Sequence, residues 1–363
     1  MKRRITRQIH LGKIGIGSDY PVSVQSMATV PVAKTDQLIS QVDSLAARGC
    51  DIVRIALDSV EEAPLFAEVC RASRIPVVAD IQFCAGAASA AIRAGAAGVR
   101  VNPGLFHDDA ELEAMARLAV EKGVAVRVGA NSGSIGKAAI EKKMANGVSF
   151  VDALGSALVE GALRQCEKLE SFGLSAIKVA VKASDVGVTL AAYREFAART
   201  DYPLHVGLTE AGTPAAGIVK SAVGIGTLLN EGIGDTIRVS LTAPPEEEVI
   251  AAIRILEACG LRKAAPELVS CPTCGRTEID LFALAQKVET MLDGIKASGK
   301  TVAAKKIAVM GCPVNGPGEA READFGIAGS RNGSVLFFSH GKTLGVFSED
   351  EALHRLRDAI ETK

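Results

Sequence analysis

The feature that most constrains the fold is a regular alternation of short apolar segments with Ala/Leu-rich segments between residues 20 and 260. Short apolar runs are typical of buried strands, and the segments between them, such as residues 36–47 and 108–122, have helical periodicity. Eight strands are predicted, at residues 22–26, 52–57, 77–81, 99–102, 126–129, 177–181, 204–208 and 236–241. Eight such units match the size of a (β/α)8 TIM-type barrel. An open doubly wound sheet is the alternative, but no strand leads into a G-x-G-x-x-G or Walker loop.

The pattern changes after residue 260, which divides the chain into two predicted domains. Residues 1–260 form the substrate-binding barrel with an N-terminal hairpin around Gly12-Lys13, and residues 261–363 form a small α+β domain. In the second domain we predict helices at 278–297 and 349–361, a strand at 306–310, and hairpin turns at Asn332-Gly333 and Gly341-Lys342. The Gly/Pro-rich segment 313–319 is predicted to be a loop rather than a helix or central strand.

Composition argues against several classes of function. The 363 residues carry a net charge of −1, contain no tryptophan and are only 4% aromatic, which is unlike a nucleic-acid-binding protein. Charged residues interrupt every apolar stretch before it reaches membrane-spanning length. We see no targeting segment and therefore expect a soluble cytoplasmic enzyme, with no membrane or nucleic acid as partner.

Three cysteines in the second domain predict a metal centre. Cys271 and Cys274 form a C-P-T-C-G motif, and Cys312 follows in G-C-P, ahead of Glu319. Two thiolates two residues apart can bind one metal centre, and cysteine followed by proline is typical of iron–sulfur loops. We interpret Cys271, Cys274, Cys312 and Glu319 as the ligands of one [4Fe-4S] cluster. Structural zinc and no metal at all remain alternatives, since a C-x2-C pair also begins many zinc sites.

Polar side chains recur at the carboxyl ends of the predicted barrel strands, where barrel enzymes place their chemistry. Even spacing puts pairs such as Lys178 and Lys182 on one face of a strand. The residues concerned are Arg54, Asp80, Arg100, Asn102, Arg127, Asn131, Lys178, Lys182, Glu210, Arg238 and Ser240. Five or more converging cations predict a site for a small, highly anionic substrate such as a diphosphate. For each single residue the alternative is a structural ion pair, and Glu210 could instead complement the helix start at Thr213-Pro214.

Four longer runs resemble the 4-hydroxy-3-methylbut-2-enyl diphosphate synthase family of the methylerythritol phosphate route to isoprenoids. They are SCPTCGRTE at 270–278, MGCPVNGPGE at 310–319, VAVKASD at 179–185 and HVGLTEAG at 205–212. The resemblance covers essentially the whole chain and matches the compact bacterial type. It implies a two-electron reductive ring opening and dehydration of 2-C-methyl-D-erythritol 2,4-cyclodiphosphate. The electrons would come from reduced flavodoxin or ferredoxin through the [4Fe-4S] cluster.

The resemblance also implies roles for individual residues. Arg54, Arg100, Arg127 and Lys182 would hold the diphosphate, Asn131 and Ser240 would add hydrogen bonds, Glu210 would donate a proton, Arg238 would assist binding, and Asp80 and Asn102 fall on family motifs with less definite roles. Glu319 would act in catalysis as an exchangeable oxygen ligand, which would leave one iron open to the substrate. For Glu210 we expect burial to keep part of the carboxyl protonated.

The connection between the domains predicts a homodimer. A linker of about nine residues spans at most roughly 30 Å, whereas the cluster segment would have to climb the whole outer wall to reach its own barrel mouth. We therefore expect a head-to-tail homodimer in which each cluster domain covers the partner's barrel. Two rival functions are a Schiff-base lyase or transferase using Lys182 or Lys178 with a structural zinc tail, and a non-catalytic redox or iron sensor.

Overall fold

The structure, a computed structural model, describes residues 2–101, 106, 108–131, 137–262, 266–297, 302–314, 316, 318 and 320–361. Two of the predicted site residues, Asn102 and Glu319, lie outside this part of the chain. Contacts between residues divide the chain into two units, Met1–Arg262 and Lys263–Lys363.

The first unit contains a sheet of eight parallel strands. They are β3 (Ser23–Met27), β4 (Ile52–Ala56), β5 (Val77–Ile81), β6 (Gly98–Val101), β7 (Ala125–Asn131), β8 (Ile177–Lys182), β9 (His205–Val206) and β10 (Thr236–Ile237). Their order is β8-β7-β6-β5-β4-β3-β10-β9. A parallel bridge between Val179 and Leu204 joins the two ends of the sheet. The predicted (β/α)8 barrel is therefore confirmed, although its last two strands are shorter than predicted.

Helices surround the barrel because their apolar faces pack against the outward-facing residues of the strands. They are α1 (Thr35–Ala47), α2 (Ala63–Ala72), α3 (Ala85–Arg93), α4 (Asp109–Lys122), α5 (Lys137–Ala145), α6 (Phe150–Ser171), α7 (Val186–Arg199), α8 (Pro214–Asn230) and α9 (Pro245–Ala258). Val99, Val126, Val128 and Val179 are fully buried in this layer. Since side chains alternate along a strand, Arg100, Arg127 and Lys178 face the barrel interior, as the spacing predicted. No helix among the described residues is both long and apolar enough to cross a membrane.

An N-terminal hairpin closes the amino-terminal end of the barrel. Its strands are β1 (Ile9–Leu11) and β2 (Ile14–Ile16), which pair antiparallel. Leu11 and its neighbours form an apolar cluster with residues at the starts of the barrel strands, including Val78 and Ala125. Gly98 makes room for this contact, because a Cβ atom there would lie 2.4 Å from the Leu11 side chain. The floor of the barrel is thus sealed by apolar packing.

The second unit is an α+β domain built on a five-stranded sheet. Its elements are β11 (Glu267–Ser270), α10 (Leu281–Ala297), β12 (Lys306–Met310), β13 (Phe325–Gly329), β14 (Val335–Ser339), β15 (Lys342–Phe347) and α11 (Glu349–Glu361). The strands lie in sequence order, with β11, β12 and β13 parallel and the last two added as antiparallel hairpins. Both helices bury their apolar faces against this sheet, in a cluster that includes Val288, Ile307 and Leu356.

The Gly/Pro-rich segment after Cys312 is not wholly irregular, so the prediction of a loop was wrong in part. The Gly316 N–H donates to the Cys312 carbonyl at 3.3 Å, and the Ala320 N–H donates to the Gly316 carbonyl at 3.2 Å, which are helical hydrogen bonds. A Cβ atom on Gly316 would lie 2.7 Å from that of Ala328. Glycine therefore lets these turns lie directly against the sheet.

Candidate active site

A cavity of about 350 Å³ opens at the carboxyl ends of the barrel strands. Five cationic side chains line it: Arg54, Arg100, Arg127, Lys182 and Arg238. The parallel register brings them together, since Arg100 pairs with Arg127 and Asn131 pairs with Lys182 on adjacent strands. Ser240 and Glu210 also line the cavity. The side chain of Asn131 belongs to the residues whose surroundings are not described.

Asp80 does not line the cavity but lies fully buried behind two of its arginines. Its carboxylate is 3.2 Å from Arg100 Nη1 and 3.5 Å from Arg54 Nε, and it accepts a hydrogen bond from Gln82 Nε2 at 3.1 Å. Burial alone would raise the pKa of Asp80, but the positive charges of Arg54, Arg100 and Arg127 together hold it below its usual value. Asp80 therefore remains ionised and fixes the arginines in place.

Arg238 is held in a similar way by Glu248 on α9. Arg238 Nε and Nη2 donate to the two carboxylate oxygens of Glu248 at 3.2 and 3.3 Å. Glu248 is only 4% exposed and also accepts hydrogen bonds from the Leu241 N–H and the Ser26 hydroxyl. This arrangement aims the Arg238 guanidinium at the cavity while Glu248 itself stays in the wall.

Positive charge is in excess around the cavity. Five cations face it, whereas Asp80 and Glu248 are the two buried carboxylates that pair with them among the described residues. Burial, together with Arg238 and Arg100, lowers the pKa of Arg54 to about 10 despite the opposing charge of Asp80. Burial and the nearby arginines also lower the pKa of Lys182 well below its usual value. An anion in the cavity would relieve this repulsion, so the site is suited to a multiply charged anion such as a diphosphate.

Room for Lys182 depends on a glycine. A Cβ atom at Gly207 would lie 2.6 Å from Lys182 Nζ and 2.3 Å from the Arg238 carbonyl oxygen. A side chain at position 207 would therefore clash with the Arg238 backbone and displace the Lys182 ammonium group. The strand end after β9 is thus shaped to admit the ammonium group.

Glu210 lies at the rim of the cavity in an unusual backbone conformation. Its φ of 53° is in the left-handed region, which costs energy for a residue other than glycine and is often found at functional sites. Its side chain is exposed within the barrel unit.

Lys178 is not at the mouth, where the sequence analysis placed it. It lies at the floor of the barrel, 2% exposed, and borders a separate void of about 10 Å³. The reason is the rise of the strand per residue: Lys178 precedes Lys182 by four residues, or about 13 Å along β8.

Cys271, Cys274 and Cys312 lie in two segments that meet in the second unit. Cys271 follows β11 and Cys312 follows its parallel neighbour β12, so both leave the same edge of the sheet. The Gly311 N–H donates to Cys271 Sγ at 3.3 Å, and the Glu278 N–H donates to the Gly311 carbonyl at 3.0 Å. The C-x2-C segment therefore packs directly against the segment that carries Cys312.

The three thiols differ in exposure: Cys312 is buried, Cys271 is half-buried and Cys274 is exposed. No group of three His, Cys, Asp or Glu side chains within the described ranges converges closely enough to hold a metal ion. All three cysteines are free of disulfides. An N–H donor directed at a cysteine sulfur is a feature that tunes iron–sulfur centres, so the donor set fits such a group.

Sequence reasoning missed the residues that support the cavity, chiefly Glu248, Gln82 and Met27. Met27 Sδ accepts a hydrogen bond from Arg54 Nη2 at 2.9 Å. A signal for Glu248 was present, because it falls on the same helical stripe as the buried Ala251, Ala252 and Ile255. A carboxylate on an apolar stripe indicates a buried partner. Nothing comparable marked Met27.

Comparison with known proteins agrees with this architecture. Residues 6–253 match the family model described as the GcpE TIM-barrel domain, and residues 267–362 match that of the GcpE protein C-terminal domain. The 4-hydroxy-3-methylbut-2-en-1-yl diphosphate synthase (flavodoxin) of Mycobacterium tuberculosis (strain ATCC 25618 / H37Rv) is 46% identical over 98% of this chain and 88% of its own length. The protein of the same name from Nocardia farcinica (strain IFM 10152) is 45% identical, over 98% and 89%.

Among solved structures, dihydropteroate synthase from Stenotrophomonas maltophilia covers 68% of this chain and 94% of its own, with a TM-score of 0.49 and 17% identity. That similarity is too distant to inform on function. The two family models and the identity to the named relatives instead agree with the resemblance carried by the cysteine and barrel motifs. The chain belongs to the GcpE family.

Proposed function

We propose that the protein is an iron–sulfur oxidoreductase that converts 2-C-methyl-D-erythritol 2,4-cyclodiphosphate into (E)-4-hydroxy-3-methylbut-2-enyl diphosphate. The observation that carries the proposal is the cavity lined by five cations, in a chain 46% identical to proteins named for the synthesis of this diphosphate. The reaction consumes two electrons, opens the cyclic diphosphate by breaking a C–O bond, and releases one hydroxyl as water. The rival Schiff-base lyase with a zinc tail finds no support among these relatives.

The barrel residues bind the substrate by its charge. Arg54, Arg100, Arg127 and Lys182 face the same space, and a guanidinium binds two phosphate oxygens at once. Asp80 and Glu248 hold three of the arginines before the substrate arrives, which reduces the entropy lost on binding. Ser240, Asn131 and Asn102 are proposed to add hydrogen bonds, and Arg238 to complete the binding site.

The second unit is proposed to hold a [4Fe-4S] cluster on Cys271, Cys274, Cys312 and Glu319. Such a cluster passes electrons one at a time and can act as a Lewis acid at an iron with an exchangeable ligand. The chain's own contribution is to keep two cysteine segments side by side through the Gly311 hydrogen bonds. Glu319 is the proposed exchangeable ligand, since a carboxylate oxygen binds iron less tightly than thiolate does.

Glu210 is proposed to donate the proton that the leaving hydroxyl requires. It lines the same cavity as Lys182 and Arg127, so it can reach a substrate held there. Glu210 is exposed in the barrel unit, so the proposed proton donation requires that water be excluded by a cover over the cavity.

The proposed function is tested by anaerobic turnover of the cyclodiphosphate with dithionite and a viologen mediator. The wild-type protein should form the linear diphosphate. Glu210→Gln should lower kcat by roughly 10²–10⁴-fold with little change in KM, because the amide keeps the shape but cannot give up a proton. Glu319→Ala should also lose turnover.

The matched control is Glu231→Gln, which changes an exposed glutamate paired with Arg194 and should keep wild-type turnover. A wild-type protein that forms no linear diphosphate with a full complement of iron would refute the function. Undiminished turnover by Glu210→Gln would refute only the role of that residue.

The electron donor is proposed to be reduced flavodoxin, which the relatives carry in their name, or a ferredoxin. The active assembly is proposed to be the head-to-tail homodimer, in which each cluster domain covers the partner's barrel. This arrangement would supply the cover that the exposed Glu210 requires.

Mixing two inactive chains tests the shared site. Cys271→Ser removes the cluster but keeps the barrel, and Lys182→Ala does the reverse. In a random mixture, roughly a quarter of the sites would combine an intact barrel with an intact cluster from the other chain. We expect about that fraction of wild-type turnover, and verified heterodimers without any activity would contradict sharing.

A further inference from the structure

Lys178 is a buried amine that the proposed reaction does not use. Its side chain is 2% exposed, and its Nζ atom has no hydrogen-bond partner within the described part of the chain. Below it, Leu11 of the hairpin seals the barrel floor. Beside it, the small void of about 10 Å³ is also bordered by Gln25 and Arg127.

The surroundings of Lys178 disfavour a charged ammonium. Its charged or titratable neighbours are Arg54 on β4, Arg127 on β7, Lys182 on β8, His205 on β9 and Asp235 ahead of β10. Asp235 is the one carboxylate among them, but it is 2.8 Å from Arg3 and accepts the Leu204 N–H at 2.8 Å. Burial and the nearby cations lower the pKa of His205 well below its usual value, so this imidazole is neutral.

We propose that Lys178 is an internal proton-binding site whose amine is uncharged while the cavity is empty and binds one proton when the cyclic diphosphate enters. The inference rests on the proposed function, which supplies the anion. The proton comes from solution and converts the amine to an ammonium group, with no other bond formed or broken.

A neutral amine suits the resting barrel because it can accept a hydrogen bond, which an ammonium cannot. Among the described residues, Arg127 Nε is a buried donor without a hydrogen-bond partner, and Gln25 Oε1 is a buried acceptor without one. Both border the void that Lys178 borders. An uncharged Lys178 can satisfy both atoms through one water molecule in this void.

The incoming substrate instead favours the charged, ammonium form of Lys178. Its negative charges pair with Arg127 and Arg54, the cations that oppose the charging of Lys178. Arg127 lines both the cavity and the void beside Lys178, so these charges act on Nζ through an interior that screens charge weakly. Burial, followed by Arg127, lowers the pKa of Lys178 to about 7 in the empty barrel. At pH 8 about nine-tenths of this amine would then be uncharged and available to bind a proton.

Calorimetric titration of the oxidised holoenzyme with the cyclodiphosphate tests the proposal, since no turnover occurs without a reductant. Comparing Tris with HEPES at pH 8 gives the number of protons bound with the ligand. We expect the wild type to take up between roughly 0.5 and 0.9 proton more than Lys178→Met or Lys178→Gln. Lys220→Met, which removes an exposed lysine of α8, should match the wild type.

A second measurement needs no ligand. The folded state releases the Lys178 proton at lower pH than the unfolded state does, so the unfolded chain binds more protons above about pH 7. The wild type should therefore gain stability relative to Lys178→Met as the pH rises from about 7 to about 10. A difference in the free energy of unfolding between the two proteins that stays constant across this pH range would overturn the proposal.

The outcomes of the titration distinguish failure of the Lys178 proposal from failure of the proposed function. Wild-type protein that binds the cyclodiphosphate with equal heat in both buffers would overturn the Lys178 site and leave the function intact. Equal proton uptake by wild type and Lys178→Met would do the same and would assign the uptake to another group. Failure of the wild type to bind the cyclodiphosphate at all would overturn both.

Discussion

Replacing Cys271 by serine is expected to reduce turnover of the cyclodiphosphate by more than a hundredfold. Loss of residues that merely support metal ligands already costs about 10–100-fold, and Cys271 is a proposed ligand. Serine offers a harder oxygen that binds iron poorly, and it also removes the sulfur that accepts the Gly311 N–H at 3.3 Å. Iron content and visible absorption after anaerobic purification should fall together with activity.

Cys70→Ser is the matched control for this change. Cys70 is half-buried in α2, and burial raises the pKa of its thiol to about 12, so it stays protonated and is a poor ligand. The control should keep its iron and most of its activity. Wild-type protein that binds zinc instead, or Cys271→Ser protein that keeps iron and activity, would contradict the proposed centre.

Asp80→Asn is expected to lower the free energy of unfolding by about 3–5 kcal/mol at pH 7, as is usual when one partner of a buried ion pair is removed. The change leaves Arg54 and Arg100 without the carboxylate that lies 3.5 and 3.2 Å from them. Pyrophosphate should restore more stability to the variant than to the wild type, because an anion replaces the missing charge. Denaturant unfolding with and without pyrophosphate measures both effects.

Asp201→Asn provides the surface control. Asp201 pairs with Arg7 at 2.6 Å, but its side chain is 59% exposed, so the loss should stay below about 1 kcal/mol. If Asp80→Asn were as stable as this control, or were stabilised less than wild type by pyrophosphate, the role of Asp80 as internal counter-ion would be wrong.

The effect of Asp80 should depend on pH in a definite direction. Because the folded-state pKa of Asp80 is held below the unfolded value, its stabilisation is complete above about pH 4 and is lost as the pH falls through the folded-state pKa. The difference in the free energy of unfolding between wild type and Asp80→Asn should therefore become smaller only in strong acid. A difference that narrows between pH 7 and pH 5 would indicate another group.

Much of the fold could be predicted from the sequence because each barrel strand is a short apolar run with a fixed alternation. Val126, Arg127 and Val128 illustrate the rule, since burial of the valines against helices forces the arginine inward. The second domain was predictable for the same reason, and β12 and α11 have the predicted bounds.

The parts that escaped prediction depend on distance across the fold rather than on local pattern. Lys178 and Lys182 share one face of β8, so alternation alone does not distinguish them. Lys178 lies near the start of the strand, at the floor of the barrel, and Lys182 lies at its end, at the mouth. Glu248 acts through Arg238, which is ten residues earlier and on another element. Glu210 is exposed in the barrel unit, and the residues next to it in the sequence give no signal of this exposure.

The hairpin at the amino-terminal end of the barrel has a consequence for turnover. Because Leu11 packs on Gly98, the amino-terminal end of the barrel is closed, and among the described residues the cavity opens at the carboxyl ends of the strands. Under the proposed function, the cyclic substrate and the linear product pass through this opening in turn, and both carry phosphate groups that the same arginines would attract. The linear diphosphate would therefore have to leave before another molecule of cyclic substrate enters. Product release would then limit the turnover rate.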